Sequence, residues 1–315
     1  MTICQFCLHP TRTGRTHHLA CARRLFDTAT IPTLNLTQSE IYTQAAVMAG
    51  KMSISGVQAK VSLTLSAARP EFVIAPTGGR YILKPEPAGY PDLPQNEHLT
   101  MQLAALLGIE TPPNGLLTLA DGTPAYLVKR FDRRADGTKL PVEDFCQLAG
   151  LPAGRKYDAT AEQCVQLLQR FTTEPVVEIH KFFRLLLFNW WVANGDLHLK
   201  NLALLTTPDG HHRLSPAYDL INTRLALPDD DTLALSIQGK KSALTRKTWL
   251  AFGAYCALPP KAVTALLDEP RAALATSLHL IQNTTLPEAK KNVYTQILTH
   301  HTNLMHPPLP PSPNS

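Results

Sequence analysis

The sequence lacks any apolar run long enough to cross a bilayer. Its most apolar stretch, Phe182 to Ala193, is broken by Arg184 and Asn189 and is shorter than the ~20 residues a helical span needs. The first residues, Met1-Thr2-Ile3-Cys4-Gln5-Phe6-Cys7, carry neither a basic nor an apolar leader region, so no secretory signal is expected. The expected location is cytoplasmic, with no membrane partner. Charge is also sparse. Only 17% of residues are charged and the net charge is +5, mild enough for a polyanion-binding pocket but without the basic stripe of a nucleic-acid reader. Hydrophobic residues make up 44%, which excludes disorder for most of the chain. Cysteine is scarce too. Of six, Cys4, Cys7 and Cys21 crowd together, while Cys146, Cys164 and Cys256 stand far apart. Without an export signal the crowded three read as metal ligands and not as a disulfide framework.

At 315 residues the chain is long enough for about two domains, and it shows no internal repeat. Residues 1–27 form a Cys/His-rich cap. A helix is expected from Ser39 to Lys51, opened by a Ser cap with Glu40 in its first turn. Lys60 to Ser66 alternates polar and apolar residues, the mark of a half-buried strand. Glu71–Ile74 and Arg80–Lys84 read as two further strands, joined through Pro76 and Gly78-Gly79. Glu97 to Leu107 places Leu99, Leu103, Leu106 and Leu107 on one helical face. Gly115–Leu119 and Ala125–Phe131 form a hairpin turning at Asp121-Gly122.

Beyond residue 132 the pattern becomes helical, over Val142–Leu148, Ala161–Phe171 and Glu178–Asn194. Phe182, Phe183, Leu185 to Phe188, Trp190 and Trp191 in the last of these read as core. A third hairpin, Leu202–Leu205 with Arg213–Pro216, turns around Pro208-Asp209-Gly210. Lys247–Leu304 is helical again, and residues 306–315 form a Pro-rich tail expected to be disordered. The fold class is therefore α+β and two-lobed, with a β-rich N-lobe at residues 28–131 and a mainly helical C-lobe at residues 132–305.

Asp196 and Asn201 sit five apart in Asn194-Gly195-Asp196-Leu197-His198-Leu199-Lys200-Asn201, between an apolar helix and a strand. Phosphoryl transfer needs a carboxylate to accept a hydroxyl proton, an amide oxygen on Mg²⁺ and a second carboxylate on Mg²⁺. The interval equals that of the Asp and Asn of the protein-kinase catalytic loop. Asp219, in Tyr218-Asp219-Leu220, is placed to supply the second metal carboxylate. A plain solvated loop would carry the same residue types, but Lys84 weighs against it. Lys84 closes a strand, and Glu97 is read as opening the next helix; a strand lysine paired with a helix glutamate reaches the α/β-phosphates in such sites. Ser53-Ile54-Ser55-Gly56-Val57-Gln58-Ala59-Lys60 could bring backbone N–H groups to phosphates, although one glycine is equally an ordinary turn.

Seven segments then occur in order: Ser-Ile-Ser-Gly-Val-Gln-Ala-Lys, Tyr-Ile-Leu-Lys-Pro, Leu-Pro-Gln-Asn-Glu-His, Val-Lys-Arg-Phe-Asp-Arg, Val-Glu-Asp-Phe-Cys-Gln, Asn-Gly-Asp-Leu-His-Leu-Lys-Asn and Pro-Ala-Tyr-Asp-Leu. This series, over residues 50–240, resembles the HipA family of bacterial toxin–antitoxin serine/threonine kinases. The fold implied is protein-kinase-like, similar to phosphatidylinositol-3-kinase-like enzymes. The resemblance implies Asp196 as base, Asn201 and Asp219 as Mg²⁺ ligands, and Lys84 as the ATP-phosphate contact. It makes Ser55, Gly56, Val57, Gln58, Ala59 and Lys60 the phosphate loop. Lys129, Arg130 and Phe131 become the hinge against adenine, with His198, Lys200 and Tyr218 lining the same site. It also implies autophosphorylation of Ser53 or Ser55, where a phosphate of charge about −1.5 to −2 would repel ATP. Only 52 residues precede Ser53. That spacing resembles the short HipT type, which implies a HipS-like small antitoxin, a HipB-like helix-turn-helix partner, and DNA only through that partner. The implied substrate is an aminoacyl-tRNA synthetase, tryptophanyl or glutamyl.

Cys4-x₂-Cys7 with His18-x₂-Cys21 gives a Cys₃His set suited to structural Zn²⁺, with His17 as an alternative to His18. The cap has too few apolar residues for a core, so metal would supply its folding energy. Two other functions fit parts of the pattern. One is a small-molecule kinase, since the catalytic loop does not report the acceptor. The other is a weak co-repressor subunit acting through the antitoxin, which loss of Asp196, Asn201, Asp219 or Lys84 would mark; all four are present.

Overall fold

A computed structural model describes residues 2–12, 14–48, 59–134 and 136–306. The Cys/His segment feeds α1 (Leu19–Phe26), and a connector leads to α2 (Gln38–Met48). The cap of α2 is Thr37, not Ser39. Glu40 Oε2 accepts the Thr37 N–H at 2.7 Å, and the Thr37 hydroxyl accepts the Glu40 N–H at 3.3 Å, a reciprocal capping box. The segment Ser53–Gln58 and the Pro-rich residues from 307 onward lie outside the described residues.

Next come β1 (Val61–Leu65), β2 (Phe72–Ile74) and β3 (Tyr81–Pro85), then α3 (Leu93–Leu106), then β4 (Asn114–Thr118) and β5 (Pro124–Lys129). The five strands form one antiparallel sheet in the order β2-β1-β3-β5-β4. Side chains alternate across a strand, and here the alternation sorts them onto two different cores. Tyr81 and Leu83 of β3, with Ala125 and Leu127 of β5, pack with Phe6, Leu25 and Phe26 of the Cys/His segment and α1. Ile82, Tyr126 and Val128 face the other way, into the larger core built on α3 and the helices that follow. Aromatic rings join the N-terminal segment to the sheet in a chain, Phe6–Phe26 at 5.5 Å, Phe26–Phe72 at 5.9 Å and Phe72–Tyr81 at 5.3 Å, all edge-on. Such pairs add about 0.5–1.5 kcal/mol each beyond their buried area. A Cβ on Gly115 of β4 would lie 2.3 Å from the Phe6 ring, so the close approach of Phe6 requires glycine there.

The C-terminal half holds β6 (Val142–Asp144), α4 (Phe145–Leu148), α5 (Ala161–Phe171), α6 (Pro175–Trp191), β7 (Ala203–Thr206), β8 (His212–Leu214), α7 (Arg246–Tyr255), α8 (Pro260–Gln282) and α9 (Glu288–Met305). Val142–Leu148 is not the single helix expected. Val142 pairs with Leu205 in the sheet β6-β7-β8. Asp144 then starts a one-turn helix by exchanging hydrogen bonds with Gln147 at 2.8 and 2.9 Å. α6 is the centre of the larger core, with Phe182, Phe183 and Leu185 to Trp191 buried. A helix apolar on nearly all sides must be enclosed, and α5, α8 and α9 pack around it. The result is a mixed α+β fold. Among the described residues, no helix is long and apolar enough to cross a membrane.

Candidate active site

Lys84 lies on the same face of β3 as Ile82, away from the Cys/His segment. α3 starts at Leu93, four residues earlier than expected, which puts Glu97 in its second turn. There Glu97 Oε1 accepts from Lys84 Nζ at 2.6 Å. The same ammonium donates to the Asp219 carboxylate and lies 5.6 Å from the centre of the Tyr126 ring. Lys84 and Glu97 side chains are 7% and 2% exposed, and Asp219 is 39% exposed.

One ammonium therefore faces two carboxylates, and the balance of burial against charge decides how each responds. Burial pushes Glu97 up to about 7 even against the pull of Lys84. Burial also raises Asp219, but the charge of Lys84 outweighs it and holds the group below its ordinary range. Burial opposes the charge on Lys84, and the two carboxylates more than compensate, so its affinity for a proton rises. Asp219 adopts φ 55°, a left-handed conformation that aspartate tolerates better than most residues.

The loop carrying Asp196 is fixed by buried amides. Asn194 Nδ2 donates to Asn189 Oδ1 at 2.6 Å on α6, and Asn194 Oδ1 accepts the Asp196 N–H at 3.0 Å. The Gly195 N–H donates to Thr223 Oγ1 at 3.0 Å. A Cβ on Gly195 would sit 2.7 Å from the Thr232 carbonyl oxygen and 2.3 Å from Asp230 Oδ2, so no larger residue fits. Asn201 Nδ2 donates to the Asp196 carbonyl at 2.9 Å, leaving its carboxamide oxygen as the atom available to a cation. Asp196 Oδ1 accepts from the Tyr157 hydroxyl at 2.5 Å and lies 3.9 Å from His198 Nε2. His198 is buried, which lowers its affinity for a proton in spite of Asp196 nearby. Lys200 is held elsewhere. Its ammonium donates to Asp144 Oδ2 at 2.7 Å, while its carbonyl accepts from the Tyr218 hydroxyl at 2.9 Å.

A cavity of about 240 Å³ lies beside Lys84. Its apolar part includes Ile82, Val128 and the rings of Phe131 and Tyr218, whose centroids are 5.7 Å apart. Lys60, Lys84 and Asp219 form its polar end. Lys129 and Arg130 line it too, but their cations are engaged by carboxylates. Lys129 donates to Asp27 at 2.7 Å, and Arg130 makes a two-pronged contact with Asp132 at 2.8 and 2.7 Å. Ala59 is buried. Ser53, Ser55, Gly56, Val57 and Gln58 lie outside the described residues. An apolar slot with a cationic end and the Asp219 carboxylate suits a planar base attached to phosphates. The carboxylate of Asp219 and the amide oxygen of Asn201 are hard donors of the type Mg²⁺ takes.

At the other face of the sheet the ligand atoms of Cys4, Cys7, His18 and Cys21 all lie within 4.8 Å of one another. His18 Nε2 lies 3.1 Å from the Pro10 carbonyl. A proton there leaves Nδ1 as the lone-pair atom, and Nδ1 is 3.3 Å from Cys7 Sγ and 4.0 Å from Cys21 Sγ. This outer contact is the usual way a ligating histidine is oriented, and the set fits tetrahedral Zn²⁺. His17 is turned away, with Nε2 3.4 Å from the Ala29 carbonyl.

Sequence reading missed Tyr157 and the amides Asn189, Asn96 and Asn222. The last two exchange hydrogen bonds at 2.8 and 2.9 Å, joining α3 to the segment after Asp219. Lys156-Tyr157 lies 39 residues before Asp196 with no periodicity to mark it. The Asn194 in the loop was visible, but its partner in the helix was not.

Residues 52–278 match the family profile described as HipA-like C-terminal domain. A relative in Sinorhizobium fredii, "Putative kinase Y4mE", is 32% identical over 258 residues, covering 77% of this chain and 60% of its own. The chain spans between 52% and 63% of the length of three curated relatives it matches. A chain in the solved Shewanella oneidensis toxin–antitoxin complex of HipA, HipB and operator DNA aligns with a TM-score of 0.68 at 23% identity, covering 81% of this chain and 65% of that one. The Helicobacter pylori proinflammatory kinase CtkA aligns with a TM-score of 0.53 at 15% identity, covering 71% and 85%. At these identities the two structures speak to fold, and both share the mixed α+β plan. The family profile covers most of the chain, including Lys84, Glu97, Asp196, Asn201 and Asp219, and the chain belongs to the HipA-like C-terminal domain family.

Proposed function

We propose that this protein is an ATP- and Mg²⁺-dependent serine/threonine protein kinase with a two-lobed catalytic fold. The observation that carries this reading is Lys84. A buried lysine joins Glu97 of α3 to Asp219, at the polar end of a cavity of about 240 Å³. In this reading the adenine lies between Ile82, Val128, Phe131 and Tyr218, and Lys84 meets the phosphates. Asn201 and Asp219 would hold Mg²⁺, which when bound neutralises charge on the transferred phosphoryl group. Asp196 accepts the proton of the acceptor hydroxyl, with its backbone held by Asn194 and Asn201. Lys60, also at the polar end, adds a second cation toward the phosphates.

The finer assignment is a toxin of the short HipT type, with a HipS-like and a HipB-like partner and DNA contacted only through the latter. HipB and operator DNA accompany HipA in the Shewanella complex, which supports a partner of that kind. The proposed acceptors are an aminoacyl-tRNA synthetase and, in the chain itself, Ser53 or Ser55. Co-purification with the products of adjacent reading frames tests the partners; recovery of the chain alone counts against them.

The central test is incubation with γ-labelled ATP and cell lysate, followed by peptide mapping. Label in one protein band and on Ser53 or Ser55 supports the reading, whereas label confined to small molecules favours a small-molecule kinase. Asp196→Asn is expected to abolish both transfer and growth inhibition. Retained transfer in that variant rejects Asp196 as the base.

A further inference from the structure

Asp196 stands on a short loop, and its side chain is 40% exposed. The buried amides around it hold its backbone but not its carboxylate. His198 Nε2 is 3.9 Å away, too far for a hydrogen bond. An exposed carboxylate held only by its main chain turns about both of its side-chain torsions, and transfer is fast only when the base stays within a few tenths of an ångström of its working position.

Tyr157 supplies the missing restraint. Its hydroxyl donates to Asp196 Oδ1 at 2.5 Å. Its ring meets the ring of His198 edge-on, with centroids 5.0 Å apart. The carbonyl of the preceding residue, Lys156, accepts the Leu199 N–H at 3.1 Å. Three contacts of different kinds thus join one segment, between α4 and α5, to the loop that carries the base. Burial and the neighbouring Asp196 charge both raise the phenol's affinity for its proton, so the group acts as a lasting donor.

We propose that Tyr157 is the positioning residue of Asp196: its hydroxyl clamps Oδ1 and leaves Oδ2 to take the proton of the acceptor. This rests on the reading of Asp196 as base. The opposite role, a hydroxyl that occupies the acceptor's place and must leave, would break the ring contact with His198 in every turnover. That contact belongs to the same loop the acceptor must find intact.

Tyr157→Phe keeps the ring on His198 and removes only the donor. In the full chain with ATP and Mg²⁺, kcat for phosphate release and for self-labelling is expected to fall about 10- to 100-fold, the range of a hydrogen bond to a charged group. KM for ATP and the melting temperature should stay as in the wild type, because the ATP contacts lie around Lys84. An unchanged kcat overturns the proposal, and so does a rise in kcat, which would mark an internal competitor. A fall in kcat together with a higher KM for ATP and a lower melting temperature assigns Tyr157 a structural role and also overturns it. Asp196→Asn is measured in parallel. If it keeps wild-type turnover, the base assignment has failed; if it is inactive while Tyr157→Phe matches wild type, only the positioning role has.

Discussion

Lys84 shows how one side chain can be legible in sequence and still depend on its surroundings. Its place at the end of a strand, ahead of Glu97, suggested a lysine paired with a helix glutamate, and Glu97 and Asp219 flank it. What the strand pattern could not say is that Glu97 is the more deeply buried carboxylate and is pushed up to about 7. The sign of the pH effect follows. An unfolded chain releases this proton near the ordinary glutamate value of about 4.3, while the folded protein keeps it to about 7. Between those values the native state binds more protons, so stability falls as pH rises through the window. Asp219, lowered by Lys84, acts in the opposite sense: its contribution is present above its ordinary value and is lost as pH falls through its lowered one. That range lies below the window. Glu97→Gln is expected to remove this component, so that its stability rises more, or falls less, with pH than the wild type's, measured as the melting temperature of both proteins from pH 4.5 to 7.5. Equal slopes would show that Glu97 is not the group titrating.

The elements were easier to read than their ends. β1 to β5 stand where alternation and turn residues put them, but α2 begins at a Thr-x-x-Glu box rather than at Ser39. β6 replaces the first half of an expected helix because Val142 finds Leu205 across the chain. Propensity is local, and a pairing partner 63 residues away is not. The Cys/His segment is the element whose stability depends most on a ligand. His18 and the three cysteines converge, while His17 is turned toward Ala29. Purified protein is expected to hold about one Zn²⁺ per chain in the wild type and in His17→Ala, and almost none in His18→Ala. Because Phe6 and Phe26 join this segment to the sheet, metal loss should also lower the melting temperature, by roughly 2–4 °C for each kcal/mol lost. Full zinc content in His18→Ala would exclude it as a ligand.

Across the whole molecule, the sheet separates two tasks. One face is covered by the Cys/His segment and α1, and the other presents Lys84 and the cavity to the helical half. A ligand that bridges both halves should stabilise the folded chain as a unit. ATP with Mg²⁺ at about 100 times its Kd is expected to add about 2.7 kcal/mol, read as a rise in melting temperature. Lys84→Ala should lose most of that rise; an equal rise in both proteins would place ATP elsewhere. The sequence by itself determined most element types, the α+β class and the residue types of the site, because alternation, helical spacing and short motifs are local properties of a chain. Only the tertiary structure decided which face of the sheet each strand residue takes, where Lys129, Arg130 and Lys200 direct their charges, and that Tyr157 meets Asp196. Those outcomes depend on partners distant in sequence, and the buried α6 places the Asp196 loop among them. The loop of Asp196 and Asn201 stood out from its spacing only together with Lys84 and Asp219, whereas its setting against Tyr157, Asn189 and Thr223 could arise only from packing.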